Sequence, residues 1–495
     1  MVAATVTIAV FAACGSATAA SRPSKAKQAN LKIKRWQQAG IRLVSFEDPF
    51  FGGRTVLREY GPRSGPVALL VHGVGEDANA DWNPFIPALK RHMRVLVLDL
   101  PGFGRSARGN KLYSPKNYGK TLDTVVRQIA KRPVVLVGHS LGGGVCLRFA
   151  ATHPKHIKRL VLVDVAGVLH REAFAETVVE QKVKGLRIGP FRINPSLPRG
   201  IKDLVGLGSN LGVDPHRVLN SKHGRAKLLD SDANKIAGLA LMLENFGPLL
   251  GKVRAKTLIA WGADDPIASL RTGKLLATRL ANARLYVFPG AKHVPMKELS
   301  ADFNRLVAPY VRHGKWPSQP RNASRWSAPE VPVLPMAVPT TATTANNRVG
   351  LCKRENGKVF TGVYRELRIT ECQDTIIRNA RIGRLLLANS SATLENVIVG
   401  TADYGTAVDL YKSHVTWTVG TLIGRTGVAL QSSKCDFVGL DFECQRVATV
   451  KRGRSYFISS VSTHRLPKSK NRTVLHGYWR LKGGHYLPHP KLPGD

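Results

Sequence analysis

Val134-Val135-Leu136-Val137-Gly138-His139-Ser140-Leu141-Gly142-Gly143 decides the fold of this chain. Four apolar residues, three of them β-branched, run into Gly-His-Ser-Leu-Gly. Gly144 and the apolar-rich Val145-Cys146-Leu147-Arg148-Phe149-Ala150 follow. The pattern predicts a buried strand, a tight turn and a helix. A serine at such a turn sits in strained backbone, and Gly138 and Gly142 leave it room. The turn lifts the Ser140 hydroxyl clear of the sheet. It also puts the Leu141 N–H at a helix N-terminus, where a developing oxyanion can be met. A Gly-x-Ser-x-Gly pentapeptide alone also occurs in ordinary β–α turns. The strand before it and the helix after it make this one a nucleophile position.

Outward from that turn, apolar runs alternate with helical patterns, which predicts a mostly parallel α/β sheet. Val67–Val71 ends at His72-Gly73-Val74-Gly75, and Val95–Leu98 ends at Asp99-Leu100-Pro101-Gly102-Phe103-Gly104-Arg105-Ser106. Leu160–Val163 ends at Asp164. Thr257–Trp261 leads to Gly262-Ala263-Asp264-Asp265-Pro266-Ile267, and Ala283–Phe288 leads to Pro289-Gly290-Ala291-Lys292-His293. A closing amphipathic helix is expected over Leu299–Val311. His-Gly-x-Gly, Asp-x-Pro-Gly-x-Gly-x-Ser and Gly-His-Ser-x-Gly-Gly, in this order, resemble the α/β-hydrolase superfamily. The resemblance covers residues 40–313 and implies helices on both faces of the sheet. It further implies a helical cap over residues 167–253, where the strand pattern stops.

A serine hydroxyl needs a base, and the base needs an orienting acid. The resemblance implies the chain order serine, acid, histidine, and Ser140, Asp265 and His293 fill it. Each follows a predicted strand, so all three emerge at one edge of a parallel sheet, where such folds bind ligands. Asp264 and Asp164 compete for the acid role, the latter also readable as a turn cap at a strand end. The oxyanion hole is expected from the backbone N–H of Leu141 with that of Val74 or Gly75. His72 and His139 read as supports of the loop and the turn. Serine rather than aspartate at 140 argues against chemistry through an alkyl-enzyme ester. The expected activity is hydrolysis of a carboxylic ester through an acyl-Ser140 intermediate, on a small-molecule or lipid-like substrate and with no cofactor or metal. Acyl transfer to another acceptor, or a perhydrolase reaction, uses the same triad.

Beyond the hydrolase-like stretch, residues 314–347 are rich in Pro, Ser, Thr and Ala and read as a linker. Residues 348–495 change to short β-rich runs with a loose repeat of roughly twenty residues. Units begin at Ser391, Ser413, Ser433 and Ser455, each too small to bury itself, so that stacking would give them a shared core. They resemble a pectate-lyase-like right-handed parallel β-helix, with a β-sandwich as the alternative. Asp403, Asp409, Asp436 and Asp441 are expected to be solvated at its turns. Cys352, Cys372, Cys435 and Cys444 permit two disulfides of unspecified pairing, and their spacing does not suit zinc. If the triad were idle, the β-rich part would be the working one, as a binder of acidic glycan or the envelope.

The chain has 495 residues, 74 Lys+Arg against 33 Asp+Glu, and a formal charge of +41. Two domains are the expectation at this length. The charge favours anionic partners such as an envelope surface or acidic polysaccharide, or else only a soluble cationic surface. Nucleic acid is not expected, because the basic residues are scattered and no nucleic-acid-binding signature is present. Residues 1–20 carry an uncharged apolar run, Val2–Ala13, before Ala17-Thr18-Ala19-Ala20, and resemble a secretory signal without its basic start. The run is too short for a membrane span. Export to periplasm, envelope or medium is therefore expected, with a lipid anchor at Cys14 as an option. Residues 21–39 read as a basic leader.

Overall fold

A computed structural model describes residues 33–38, 40–75, 78–173, 186–188, 191–193, 214–317, 348–400, 405–467 and 469–487. The signal-like segment with Cys14, most of the leader and linker, the middle of the expected cap, and Asp403 lie outside the described residues.

A nine-stranded sheet organises the first part. Its strands are β1 (Lys34–Gln38), β2 (Ile41–Glu47), β3 (Arg54–Tyr60), β4 (Val67–Val71), β5 (Arg94–Asp99), β6 (Val134–His139) and β7 (Ile157–Val163). An antiparallel pair of β8 (Leu186–Ile188) and β9 (Phe191–Ile193) forms a separate sheet, and β10 (Thr257–Gly262) and β11 (Ala283–Phe288) complete the nine-stranded one. The order is β1-β2-β3-β5-β4-β6-β7-β10-β11, antiparallel up to the β3–β5 pair and parallel beyond it. Strands β4, β5, β6 and β10 are buried along their whole length, because helices cover both faces of a parallel sheet. The helices described in this part are α1 (Ile86–Lys90), α2 (Pro115–Thr124), α3 (Leu141–Thr152), α4 (Pro215–Asn220), α5 (Lys222–Leu229), α6 (Ala233–Met242), α7 (Gly247–Leu250), α8 (Leu270–Arg279), α9 (Pro295–Glu298) and α10 (Ser300–His313).

Two expectations need correction here. Residues 34–38, assigned to the leader, form edge strand β1, paired with Ile41–Ser45. All five of its side chains are exposed, so the strand lacks the apolar alternation that would betray it. The expected cap, read as helical, also contains the antiparallel β8–β9 pair.

The last part is all β. Strands β12 (Val349–Lys353), β13 (Val359–Thr370), β14 (Thr375–Ala388), β15 (Ser391–Gly400), β16 (Thr406–Tyr411), β17 (His414–Gln431), β18 (Lys434–Arg452) and β19 (Arg454–Arg465) pair in parallel with their neighbours. Strand β20 (Thr473–Lys482) turns back antiparallel to β19, and β21 (Tyr486–Leu487) pairs antiparallel with β18. A serine ladder keeps the register: the N–H groups of Cys372, Ser390, Ser413 and Ser433 donate to the hydroxyls of Ser390, Ser413, Ser433 and Ser455 in turn, at 3.1–3.2 Å. The first of the predicted units is therefore one residue out of step, since Ser390 and not Ser391 matches Ser413. Trp417, Phe437, Phe457 and Trp479 pack in a line through the interior, with ring centroids 5.3–5.8 Å apart.

One disulfide forms, Cys352–Cys372. Cys435 and Cys444 are free and buried, so the second bridge that four cysteines allowed is not made. Asp436 and Asp441 are also not solvated. They are buried against helix α8, where Arg271 pairs with Asp436 and Arg279 with Asp441, and Lys274 reaches Glu395 at 2.6 Å. Val438, Ile458 and Val461 join the apolar core of the first part at the same place. Asp409 keeps to the surface between Arg384 and Lys451. No helix among the described residues is long and apolar enough to cross a membrane.

Candidate active site

Ser140 sits between β6 and α3 with φ +51° and ψ −116°, a backbone conformation that costs energy and persists only where its surroundings impose it. The surroundings do. A Cβ at 138 would lie 2.5 Å from the Gly142 carbonyl oxygen, and one at 142 would lie 2.4 Å from the carbonyls of Val71 and His72. The Ser140 N–H is held by the Val163 carbonyl at 3.0 Å. Leu141 is the first residue of α3, so its N–H has no acceptor within the helix.

The three residues expected to act together are brought together. The Ser140 hydroxyl donates to His293 Nε2 at 3.0 Å, and His293 Nδ1–H donates to Asp265 Oδ2 at 2.8 Å. Asp265 Oδ1 accepts the N–H groups of Ile267 and Ala268 at 2.8 and 3.0 Å, which fixes the carboxylate in place. Asp264 is exposed, one residue away on the same turn. Asp164 is wholly buried beside Asp265, its Oδ1 accepting the Gly262 N–H at 2.8 Å. Burial, and after it the neighbouring Asp265, push the Asp164 carboxyl well above the usual carboxylate range.

Two further histidines brace the site. His139 Nε2–H donates to the His293 carbonyl at 2.8 Å and carries the turn that presents the imidazole. His72 Nδ1–H donates to the Gly73 carbonyl at 2.6 Å, while His72 Nε2 accepts the Leu100 N–H at 3.1 Å. This arrangement requires the neutral ring. Burial also lowers the His72 pKa to about 4 and drives that of His139 well below 6.5.

Of the two N–H groups considered with Leu141, that of Gly75 is taken. It donates to Asn234 Oδ1 at 2.7 Å. Sequence reasoning passed over Asn234. The Asp232 cap announces the start of α6, but nothing local says what the helix would touch. A cavity of about 410 Å³ opens beside that helix start, lined by Gly102, Arg108, Asp230, Asp232, Ala233 and Lys235 among others. No cluster of metal-binding side chains occurs among the described residues.

Residues 66–185 match the family described as the α/β hydrolase fold. The 2-hydroxymuconate semialdehyde hydrolase of Pseudomonas sp. (strain CF600) is 30% identical over 270 residues, 52% of this chain and 91% of that protein. The chain belongs to the α/β-hydrolase family. A 2-hydroxy-6-oxononadienedioate/2-hydroxy-6-oxononatrienedioate hydrolase of Comamonas testosteroni is 28% identical over 277 residues, 50% of this chain and 89% of that one. Among solved structures, an esterase from Exiguobacterium antarcticum matches 54% of this chain and 98% of its own at 20% identity and a TM-score of 0.41. The two hydrolase relatives each match about half of the chain.

Proposed function

We propose that this α/β hydrolase is a serine hydrolase that cleaves a carboxylic ester through an acyl-Ser140 intermediate. One observation carries the reading: the unbroken relay from Ser140 Oγ through His293 to Asp265. His293 takes the hydroxyl proton as Ser140 attacks the acyl carbon, and Asp265 steadies the imidazolium that results. The N–H groups of Val74 and Leu141 receive the oxyanion. His293 then returns the proton to the leaving alcohol, and the same steps run with water release the acid. The test is labelling with a fluorophosphonate in wild type, Ser140→Ala and His293→Ala. Labelling of the wild type alone is expected, followed by turnover of p-nitrophenyl esters. A folded wild type that does not label overturns the reading.

The names of the relatives favour a second reading, hydrolysis of a substrate like 2-hydroxymuconate semialdehyde on the same triad. Turnover of that compound with no ester turnover would select it.

Our reading of the all-β part is a short parallel β-helix of pectate-lyase type, supported by the parallel pairing of consecutive strands and the serine ladder. Its role in this reading is positional. The domain division at 40–313 and 348–495, with a cap over 167–253, belongs to the same proposal. Export is supported by the apolar run Val2–Ala13 and by the Cys352–Cys372 disulfide, a bond favoured in oxidising compartments. The +41 charge would hold the exported protein against an anionic envelope surface or acidic polysaccharide. Binding to anionic vesicles that does not weaken with added salt counts against that role.

A further inference from the structure

Helix α6 is wedged into the core. Its residues Ala233, Ile236, Leu239 and Leu241 are buried, and three glycines make room for it. A Cβ on Gly102, at φ +93°, would lie 2.8 Å from the Ala233 methyl. One on Gly144, in the nucleophile helix α3, would lie 2.7 Å from Leu241, and one on Gly167 would lie 2.4 Å from it. Asp232 caps the helix by accepting the Lys235 N–H at 2.9 Å. The second residue of the helix, Asn234, is thereby held at one place relative to Ser140, and from there its Oδ1 takes the Gly75 N–H.

Val74 stands between two clamped peptide groups. The Gly73 carbonyl is held by His72 Nδ1–H, itself anchored through Leu100. Because a peptide group is planar and trans, fixing the Gly73 carbonyl also fixes the opposite direction of the Val74 N–H. The next peptide group, Val74–Gly75, is fixed by Asn234. Gly75 has φ +133°, outside the range that most side chains tolerate, so its own conformation does little to stop the loop from turning. One clamp therefore comes from the central sheet and the other from the helix that covers the site.

We propose that Asn234 is a positioning residue for the oxyanion hole, and that the hole is competent only while α6 is seated. The inference rests on the serine-hydrolase reading above. Oxyanion stabilisation is felt in the transition state and not in substrate binding. Loss of one direct donor costs about 100- to 1000-fold in kcat, and loss of a brace behind a donor should cost less, about 10- to 100-fold.

The experiment uses the full chain. Fluorophosphonate inactivation rates, kcat and KM for a p-nitrophenyl ester, and the affinity of a trifluoromethyl ketone are measured for wild type, Asn234→Ala, Asn234→Asp and Ser140→Ala. The ketone forms an oxyanion on binding, and the ester in its ground state does not. Asn234→Ala is expected to lower kcat and ketone affinity by similar factors with KM little changed. Asn234→Asp keeps an acceptor for the Gly75 N–H and should lie between Asn234→Ala and wild type. That variant also serves if Asn234→Ala does not fold. An unchanged kcat and ketone affinity in folded Asn234→Ala overturns the proposal. So does a folded Asn234→Asp as slow as the Ser140→Ala background. A wild type that neither labels nor turns over ester removes the underlying reading, a failure visible before any Asn234 variant is compared.

Discussion

Asp265 in the hydrolase part and Asp436 in the all-β part are both buried carboxylates, and each meets one basic group. Asp265 faces the imidazole of His293, and it is fixed by two backbone N–H groups. Asp436 faces Arg271, whose charge is permanent and whose guanidinium also holds Thr418 and two carbonyls. A carboxylate paired with a titratable partner can serve catalysis, whereas one paired with arginine can only hold. The two acids are joined by one element. Helix α8 starts five residues after Asp265 and offers Arg271, Lys274 and Arg279 to the other part. The site and the seam thus share a support.

The sharpest way to break this comparison is to neutralise each acid in turn. Asp265→Asn should lower kcat by about 10,000-fold while the protein stays folded, because an amide favours the wrong tautomer of the histidine. Asp436→Asn should leave the rate of fluorophosphonate labelling as it is and lower the melting temperature. Equal losses of activity in the two variants would show that the seam acts on the site and does not merely hold it.

Next in size is the seam itself. Arg271→Met strands a buried Asp436, and losing one member of such a pair costs about 3–5 kcal/mol. The loss should be read in denaturant unfolding as a separate, earlier transition of the all-β part. A single unshifted transition would mean that the apolar contacts of Val438, Ile458 and Val461 hold the parts together unaided.

Much of the hydrolase half was legible because its signals are local. The turn at Ser140 needs glycine at 138 and 142 for reasons that lie within ten residues and the neighbouring loop. The triad needs only strand ends in order. What stayed hidden depends on docking. Asn234 meets Gly75 across 159 residues and Arg271 meets Asp436 across 165, with no periodicity to announce either contact. In the all-β part the acids looked like surface turns because nothing in the sequence named the helix that covers them. Counting cysteines left the pairing open, and Cys435 and Cys444 proved to be small buried side chains.

The seam also carries histidines, which gives the comparison a pH axis. His170 and His476 lie with ring centroids 5.4 Å apart across it, each Nδ1 accepting a backbone N–H at 3.3 Å, from Glu172 and Val461 respectively. Burial lowers their pKa values to about 3 and about 4. Their folded values lie below the unfolded 6.5, so an unfolded chain takes up protons first as the pH falls. Stability is therefore full above pH 6.5 and is lost on descent toward pH 4. At pH 5 the loss is about 2 kcal/mol for each histidine. Denaturation midpoints measured from pH 7.5 to pH 4.5 should fall in wild type and fall less in His476→Gln. Identical profiles for the two would place the acid sensitivity elsewhere, His72 being the next candidate.

The smallest effect tests the ladder in the all-β part. Ser413 accepts the Ser390 N–H and donates its hydroxyl proton to the Tyr411 carbonyl at 2.8 Å, while its own N–H goes to Ser433. Ser413→Ala removes the first two bonds and leaves a buried N–H without an acceptor, at a cost of about 1–3 kcal/mol. If the ladder keeps the register, Ser413→Thr, which retains a hydroxyl, should recover most of that loss, and labelling at Ser140 should be untouched in both variants. A Ser413→Ala protein as stable as wild type would mean that the line of Trp417, Phe437, Phe457 and Trp479 sets the register by packing. The serines would then fill the turns without directing them.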